Sequence, residues 1–262
     1  MKFDIELKNV SLKYKKFEAL KNISFNLEDG KIYGLIGRNG AGKTSLLSLL
    51  ASLREATEGS IKIAGENPFE NAKIMPNVTF VHETNHAEDG SKVNKYLALT
   101  TQFYPNFDQT YADYLIKRFK LPTNKQVNKL SKGMQSVLDV IIGLASRAPI
   151  TIFDEAYLGM DAPTRKIFYQ EVLADQEKYP RIIIMSTHLV SEMDFLFDEV
   201  LILHKGSLLV KEDYETFVSR GATITGSASD VDAFVAGKRV IGTQQLGNTK
   251  AATIYEENME EI

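Results

Sequence analysis

The chain has 262 residues, 44% of them hydrophobic and 25% charged, with a formal net charge of −3 and a pI near 5.9. That length fits one large domain, or one domain with an appendage, of ordinary globular composition. The acidic balance argues against nucleic acid as the main partner, and the lack of cysteine excludes disulfides and thiolate chemistry.

The N-terminus Met1-Lys2-Phe3-Asp4 is charged at once, so no secretory leader is expected. No apolar run approaches the ~20 residues of a membrane-spanning helix. Any membrane role is expected to come from a partner. Phe3, Ile5 and Leu7 alternate with Asp4, Glu6 and Lys8, which predicts a half-exposed strand over 3–12. Tyr14 follows. It reads either as an ordinary strand aromatic or as a platform for an adenine ring. A second strand is predicted over 19–27, turned by Glu28-Asp29-Gly30. Strands in this order suggest a small antiparallel sheet packed on a parallel α/β core.

Ile32 to Ile36 reads as a short buried strand. Gly37-Arg38-Asn39-Gly40-Ala41-Gly42-Lys43-Thr44 comes next and fits the phosphate-binding pattern G-x-x-x-x-G-K-[ST]. An apolar helix is predicted over 45–53. Glycines let the backbone wrap phosphates without a Cβ in the way. The loop amides and the positive helix N-terminus then face the anion. Lys43 is placed to reach the β- and γ-phosphates, and the Thr44 hydroxyl to ligate Mg²⁺.

Strands are predicted at 59–66 and 77–81, followed by a polar loop from His82 to Gly90. Residues 91–128 read as an inserted helical segment, part of a helical subdomain over about 91–148. Its aromatics Tyr96, Phe103, Tyr104, Phe107, Tyr111, Tyr114 and Phe119 are expected mostly to form an internal core, with a few left for a partner. Ser131 is a good N-cap for a helix whose Met134, Val137, Leu138, Ile141, Ile142 and Ala145 repeat at helical spacing. Pro149 stops that helix, and the strand over 150–155 ends in two acids, Asp154 and Glu155. Asp154 suits a Mg²⁺ carboxylate and Glu155 a group that orients water beside the γ-phosphate. A helix over 163–174 and an apolar strand over 181–185 follow. His188 then stands where the carboxyl ends of parallel strands gather ligands. A short helix over 192–197 leads to a hairpin over 199–210. Beyond Gly221, a strand, a helix and two strands are predicted in a segment small for independent stability. The acidic end Glu256–Glu261 is expected to fray.

Together these motifs resemble the ATP-binding-cassette (ABC) ATPases, over about residues 1–215. Residues 37–44 look like the Walker A loop, 130–135 like the LSGGQ signature and 150–155 like the Walker B strand. Residues 157–161 look like the D-loop, and His188 like the switch histidine. Tyr14 falls where the family's adenine-stacking aromatic lies. The resemblance implies a RecA-like parallel core with an antiparallel β-subdomain and a helical subdomain over residues 1–220. The small α+β appendage would then be 221–262. It implies an ATP hydrolase with ATP and Mg²⁺ as ligands. Catalysis would fall to Glu155, His188 and Lys43. The nucleotide would lie against Tyr14, Gly37, Arg38, Asn39, Gly40, Ala41, Gly42, Lys43, Thr44 and Ser45, with Glu83, Ser131, Gly133 and Asp161. The metal would rest on Thr44, Asp154 and Glu83.

The resemblance also implies a head-to-tail dimer, most simply of identical chains, joined to an integral membrane permease at the cytoplasmic face of the membrane. "FYPNFD", "LSKGM" and the tail are similar to the YtrB-like exporter ATPases, including those serving amphipathic or antimicrobial peptides. Nucleic acid is not an expected partner. Alternatives are a soluble ABC ATPase of translation or DNA repair, or a nucleotide-dependent regulator without turnover. A single glycine loop and a short insertion disfavour the first, and intact Lys43, Asp154, Glu155 and His188 disfavour the second. Three departures stand out. Glu83 replaces the usual Gln, the signature reads Ser131-Lys132-Gly133-Met134, and Ala156 replaces the usual Pro. The insertion 91–128 is the expected surface for a permease helix, with Tyr104 as a contact.

Overall fold

The computed structural model describes residues 2–238 and 240–255. The predicted acidic end, Glu256–Glu261, and Arg239 of a predicted strand lie outside them. The first strand, β1 (Ile5–Tyr14), pairs antiparallel with β2 (Phe17–Leu27). From β2 the chain enters β3 (Ile32–Ile36), whose residues are buried up to Leu35. The glycine loop and α1 (Lys43–Leu50) follow, and β4 (Glu58–Ile63) returns to pair with the other edge of β1. Helix α1 is shorter than the predicted 45–53. Gly42 caps it at the start, and Ser52 adopts a left-handed φ of 59° just past its end. Leu53 is consequently exposed.

The remaining core elements are β5 (Val78–Val81), α2 (Val93–Thr100), α3 (Gln109–Phe119), α4 (Lys132–Ala145), β6 (Ile150–Asp154) and α5 (Ala162–Lys178). After them come β7 (Ile182–Thr187), α6 (Val190–Met193), β8 (Glu199–His204) and β9 (Ser207–Asp213). The predicted helix over 192–197 is split. Only its start is α-helical, and a 3₁₀ turn covers Asp194–Leu196. The large sheet has the order β5-β6-β7-β3-β8-β9. Its first five strands run parallel, and such strands are buried on both faces, which is why they read as continuous apolar runs. The Lys205-Gly206 turn joining β8 to β9 has positive φ at both positions, as a tight hairpin requires. The main apolar cluster fills the space between β1, β2, α1 and the sheet, with Leu46, Leu47, Leu49, Ile152 and Ile184 all buried.

The helical segment departs from expectation. Its buried residues are aliphatic: Val93, Leu97, Ala112, Leu115, Leu121 and Val127. None of the seven aromatics is fully buried. Tyrosines carry a polar tip that favours the rim over the interior. Tyr114 donates to Glu171, and the Arg147 guanidinium covers the Tyr111 ring. Tyr104, expected as a permease contact, is half-buried, and burial raises its pKa. The large apolar side chains that this segment exposes are Leu99, Phe103 and, short of its hydroxyl, Tyr114.

The chain divides into two compact units between Lys211 and Glu212. The second unit holds α7 (Tyr214–Ser219), β10 (Gly221–Ser227), α8 (Ala228–Phe234), β11 (Val240–Leu246) and β12 (Thr249–Tyr255). Its sheet has the order β10-β12-β11, and Val231 of α8 is buried along with Ala252 and Ile254 of β12. This unit starts ahead of the Gly221 boundary read from sequence, because α7 belongs with β10.

Ile152 is fully buried on β6, between β5 and β7. Ile152→Ala is expected to lower stability by about 2–5 kcal/mol, read as a lower urea midpoint. Loss below about 0.5 kcal/mol, the range of an ordinary surface substitution, would mean that this strand does not hold the core.

Candidate functional site

The glycine loop leaves β3 at Gly37 and is pressed against its neighbours. A Cβ on Gly37 would lie 2.7 Å from the Leu203 carbonyl oxygen. Gly42 has φ 106°, and a Cβ there would lie 2.9 Å from the Ala19 carbonyl oxygen. The loop therefore presents backbone, and the Ala41 amide closes its turn on the Arg38 carbonyl at 3.0 Å. Asn39, Gly40, Gly42, Lys43, Thr44 and Ser45 line one side of a cavity of about 530 Å³. His82, Glu83, Asp154 and Glu155 line the other side.

The charges converge because of strand order. Strand β7 lies between β3 and β6, with Asp154 paired to Ser186 and Ile36 to Thr187. The loop after β3 and the acids after β6 thus share one sheet edge. Lys43 is buried. Its Nζ donates to the Gly37 carbonyl at 2.7 Å and lies 3.2 Å from Glu155 Oε1. The Thr44 hydroxyl donates to Asp154 Oδ2 at 2.7 Å. Ser186 donates to Asp154 Oδ1 and accepts the Glu155 amide at 3.0 Å. Glu155 is held in the left-handed region at φ 49°, a strain of order 1 kcal/mol that persists where surroundings over-determine it. His188 Nδ1 stands 3.3 Å from Glu155 Oε1 and 3.2 Å from the Tyr157 hydroxyl. That hydroxyl also accepts from Thr187 Oγ1 at 3.3 Å and from the His188 amide at 3.4 Å. Burial raises the Tyr157 pKa, so it remains a neutral group that orders His188.

Lys43, Thr44, Asp154, Glu155 and His188 are thereby gathered at one place. Tyr14 is adjacent. Its hydroxyl is 3.4 Å from Ser45 Oγ, and the Arg54 guanidinium lies over its ring. The aromatic that lines the cavity is Phe17, which is 64% exposed. Ser131, Gly133 and Asp161 do not line that cavity. Ser131 caps α4, accepting from the Met134 amide at 3.3 Å. A Cβ on Gly133 would meet the Gly159 carbonyl oxygen at 2.4 Å. Only glycine therefore lets the start of α4 lie this close to the 157–161 loop, where Ser136 Oγ also donates to the Leu158 carbonyl at 2.7 Å. Asp161 caps α5 by accepting from the Thr164 amide at 2.9 Å, and its bonds to Thr164 hold its carboxyl below the usual range.

Glu83 carries an ion pair with Lys132 across to the start of α4. Further along the same loop, His86 is buried with Nε2 3.1 Å from Asp139 Oδ1. That bond raises the His86 pKa, and burial raises that of Asp139. Sequence reasoning gives no role to Ser186, the Tyr157 hydroxyl or Phe17. Ser186 and Tyr157 act through groups 31 or 32 residues away, which only strand order reveals.

Asp154 and Thr44 offer hard oxygen donors beside the phosphate cradle. This is the sparse set that Mg²⁺ takes together with phosphate oxygens, so the residues fit that ion.

A backbone cradle, a buried lysine and a strand-end carboxylate at the carboxyl edge of a parallel sheet define a phosphate-loop nucleoside triphosphatase. The sequence pattern of the family described as "ABC transporter" matches residues 20–158. The chain belongs to that family as an ATP-binding subunit with ATP hydrolase activity. YtrB of Bacillus subtilis (strain 168), an ABC transporter ATP-binding protein, is 29% identical over 80% of this chain and 74% of its own. The bacitracin transport ATP-binding protein BcrA of Bacillus licheniformis is 28% identical over 82% of this chain and 72% of its own. The zinc uptake system ATP-binding protein ZurA of Listeria innocua serovar 6a is 30% identical over 77% of this chain and 82% of its own. Among solved structures, the ATP binding subunit of an ABC transporter superposes with a TM-score of 0.73 at 23% identity, covering 82% of this chain and 91% of that one. The dimeric post-hydrolysis state of the cassette MJ0796 bound to ADP and Pi gives 0.71 at 22%, covering 80% and 98%. The fold expected from the sequence is the one observed.

The His86–Asp139 pair yields a pH prediction. A raised histidine pKa contributes stability that is full below its unfolded value of about 6.5 and is lost as pH rises through the folded value. The raised Asp139 value has the same sign. His86→Asn is therefore expected to lower Tm more at pH 5.5 than at pH 8.5. An equal loss at both pH values would remove the charged pair as the cause.

Proposed function

We propose that this chain powers a membrane exporter, hydrolysing ATP in a head-to-tail pair of identical chains docked on a separate permease at the cytoplasmic face of the membrane. The observation that supports turnover is the convergence of Lys43, Asp154, Glu155 and His188 on one backbone cradle. Phosphoryl transfer asks mainly for positioning and charge neutralisation. Lys43 and the loop amides stabilise the phosphate oxygens. Mg²⁺, held by Thr44 and Asp154, supplies further neutralisation when bound. Glu155 accepts a hydrogen bond from water and takes its proton as oxygen attacks the γ-phosphorus and the β–γ bridging oxygen departs with the electron pair. His188 orients the γ-phosphate from the Tyr157 side. Phe17 and Tyr14 offer aromatic surface for the base.

Placement supports the two-chain assembly. Ser131 and Gly133 start a helix whose N-terminus favours anions, yet they stand apart from their own chain's phosphate cavity. A second copy supplies the γ-phosphate they face, and Asp161 lies at the seam. Leu99 and Phe103 present the apolar surface for a permease helix. Export of an amphipathic or antimicrobial peptide is the reading favoured by the bacitracin-transport relative. Import is the second reading, favoured by the zinc-uptake relative. Reconstitution with the permease in vesicles separates them, by whether ATP on the cassette side drives cargo away from it or toward it.

Glu155→Gln is expected to bind ATP and pair, while turnover falls by at least about a hundredfold. Undiminished hydrolysis would take Glu155 out of the base role.

A further inference from the structure

Two of the departures from the family pattern touch each other. Glu83 stands where the family places Gln, Lys132 stands where it places the first glycine of the signature, and their side chains form an ion pair. Lys132 is the first residue of α4, directly after the Ser131 cap, and the first turn of that helix contains no acid. A cation at a helix N-terminus is disfavoured by the helix dipole, so this lysine needs an anion from elsewhere. Glu83 supplies it within the chain. The pair is 62% and 63% exposed at its two side chains. An ion pair this exposed is weak and exchanges readily for a stronger partner. The stem of Lys132 runs past the 157–161 loop. Its Cγ lies 3.1 Å from where a Cβ on Gly159 would sit, and its place in the chain directly follows the signature serine. Glu83 borders two cavities, one shared with Lys132, the other with Lys43, Thr44 and Asp154.

We propose that Glu83 and Lys132 form a latch linking the two nucleotide sites, a reading that rests on the head-to-tail pair above. Nucleotide with Mg²⁺ in a chain's own cavity draws the Glu83 carboxylate toward the metal end. Lys132 is released and turns to the γ-phosphate held by the second copy, adding a charge-assisted contact beside Ser131 and Gly133. Occupancy of one site thereby readies the signature for the other. Lys132 thus binds the phosphate of the partner's site directly, and Glu83 is its restraint.

The two residues then have opposite effects, unlike the halves of a passive surface pair. The test uses full-length chain in the Glu155→Gln background, titrated with Mg-ATP, with the dimer fraction read by light scattering. Lys132→Ala is expected to raise the ATP concentration for half-maximal pairing roughly tenfold. Lys132→Arg restores it. Glu83→Gln lowers that concentration and flattens the titration, since Lys132 is no longer restrained. Equal shifts in the same direction for Lys132→Ala and Glu83→Gln, or no shift in either, overturn the latch. Failure of the Glu155→Gln parent to pair with ATP overturns the two-chain reading itself, and the latch with it.

Discussion

The structure depends on one register. Strand β7 sits between β3 and β6, and all three run parallel, so their carboxyl ends finish on the same edge. A lysine after the first strand and an acid after the third are brought within 3.2 Å although 112 positions separate them. Strand β7 contributes more than spacing. Its Ser186 fixes both acids, and His188 just past its end faces Glu155. Burial of the strands on both faces fixes this edge, and the loop there presents its backbone together with Lys43 and Thr44.

The second constraint is close approach. Gly37, Gly42 and Gly133 each lie where an added Cβ would collide with a carbonyl oxygen. The first two pin the loop against β2 and β8. The third presses the start of α4 against the loop that follows Glu155. The signature and the candidate base are thus mechanically joined within one chain, while Ser131 and Gly133 stand apart from that chain's own phosphate cavity. This separation is the physical ground for reading the functional unit as a pair.

Much of this is legible in the amino-acid sequence. The glycine loop is a local motif, and the flanking strand and helix are local patterns, so they place Lys43 and Thr44 without tertiary information. Asp154 and Glu155 follow from a strand that ends in acids. What the sequence hides is of two kinds. One is tertiary support. Ser186, Tyr157 and the Glu83–Lys132 contact exist only once strand order and the helical subdomain are fixed. The other is exposure. Seven aromatics in the helical segment suggest an aromatic core, yet aliphatic residues take the interior and the aromatics stay at the rim, Tyr114 bonding Glu171 there. Phe103 and Tyr104 are neighbours of similar size, and no periodicity tells which faces out. The end of α1 is obscured for a related reason. The apolar run continues through Leu53, and the left-handed Ser52 that ends it carries no sequence signal.

The central claim is that each catalytic site is built from two chains, with Lys43 from one and Ser131 from the other. The most direct measurement mixes two variants, Lys43→Ala and Ser131→Arg, each inactive by itself. Every pair of like variants carries a defect in both sites. A mixed pair concentrates both defects in one site and leaves the other whole, so an equimolar mixture holds about a quarter of the intact sites of wild type. The account predicts that ATP hydrolysis reappears on mixing. A mixture no more active than the sum of its parts would contradict it.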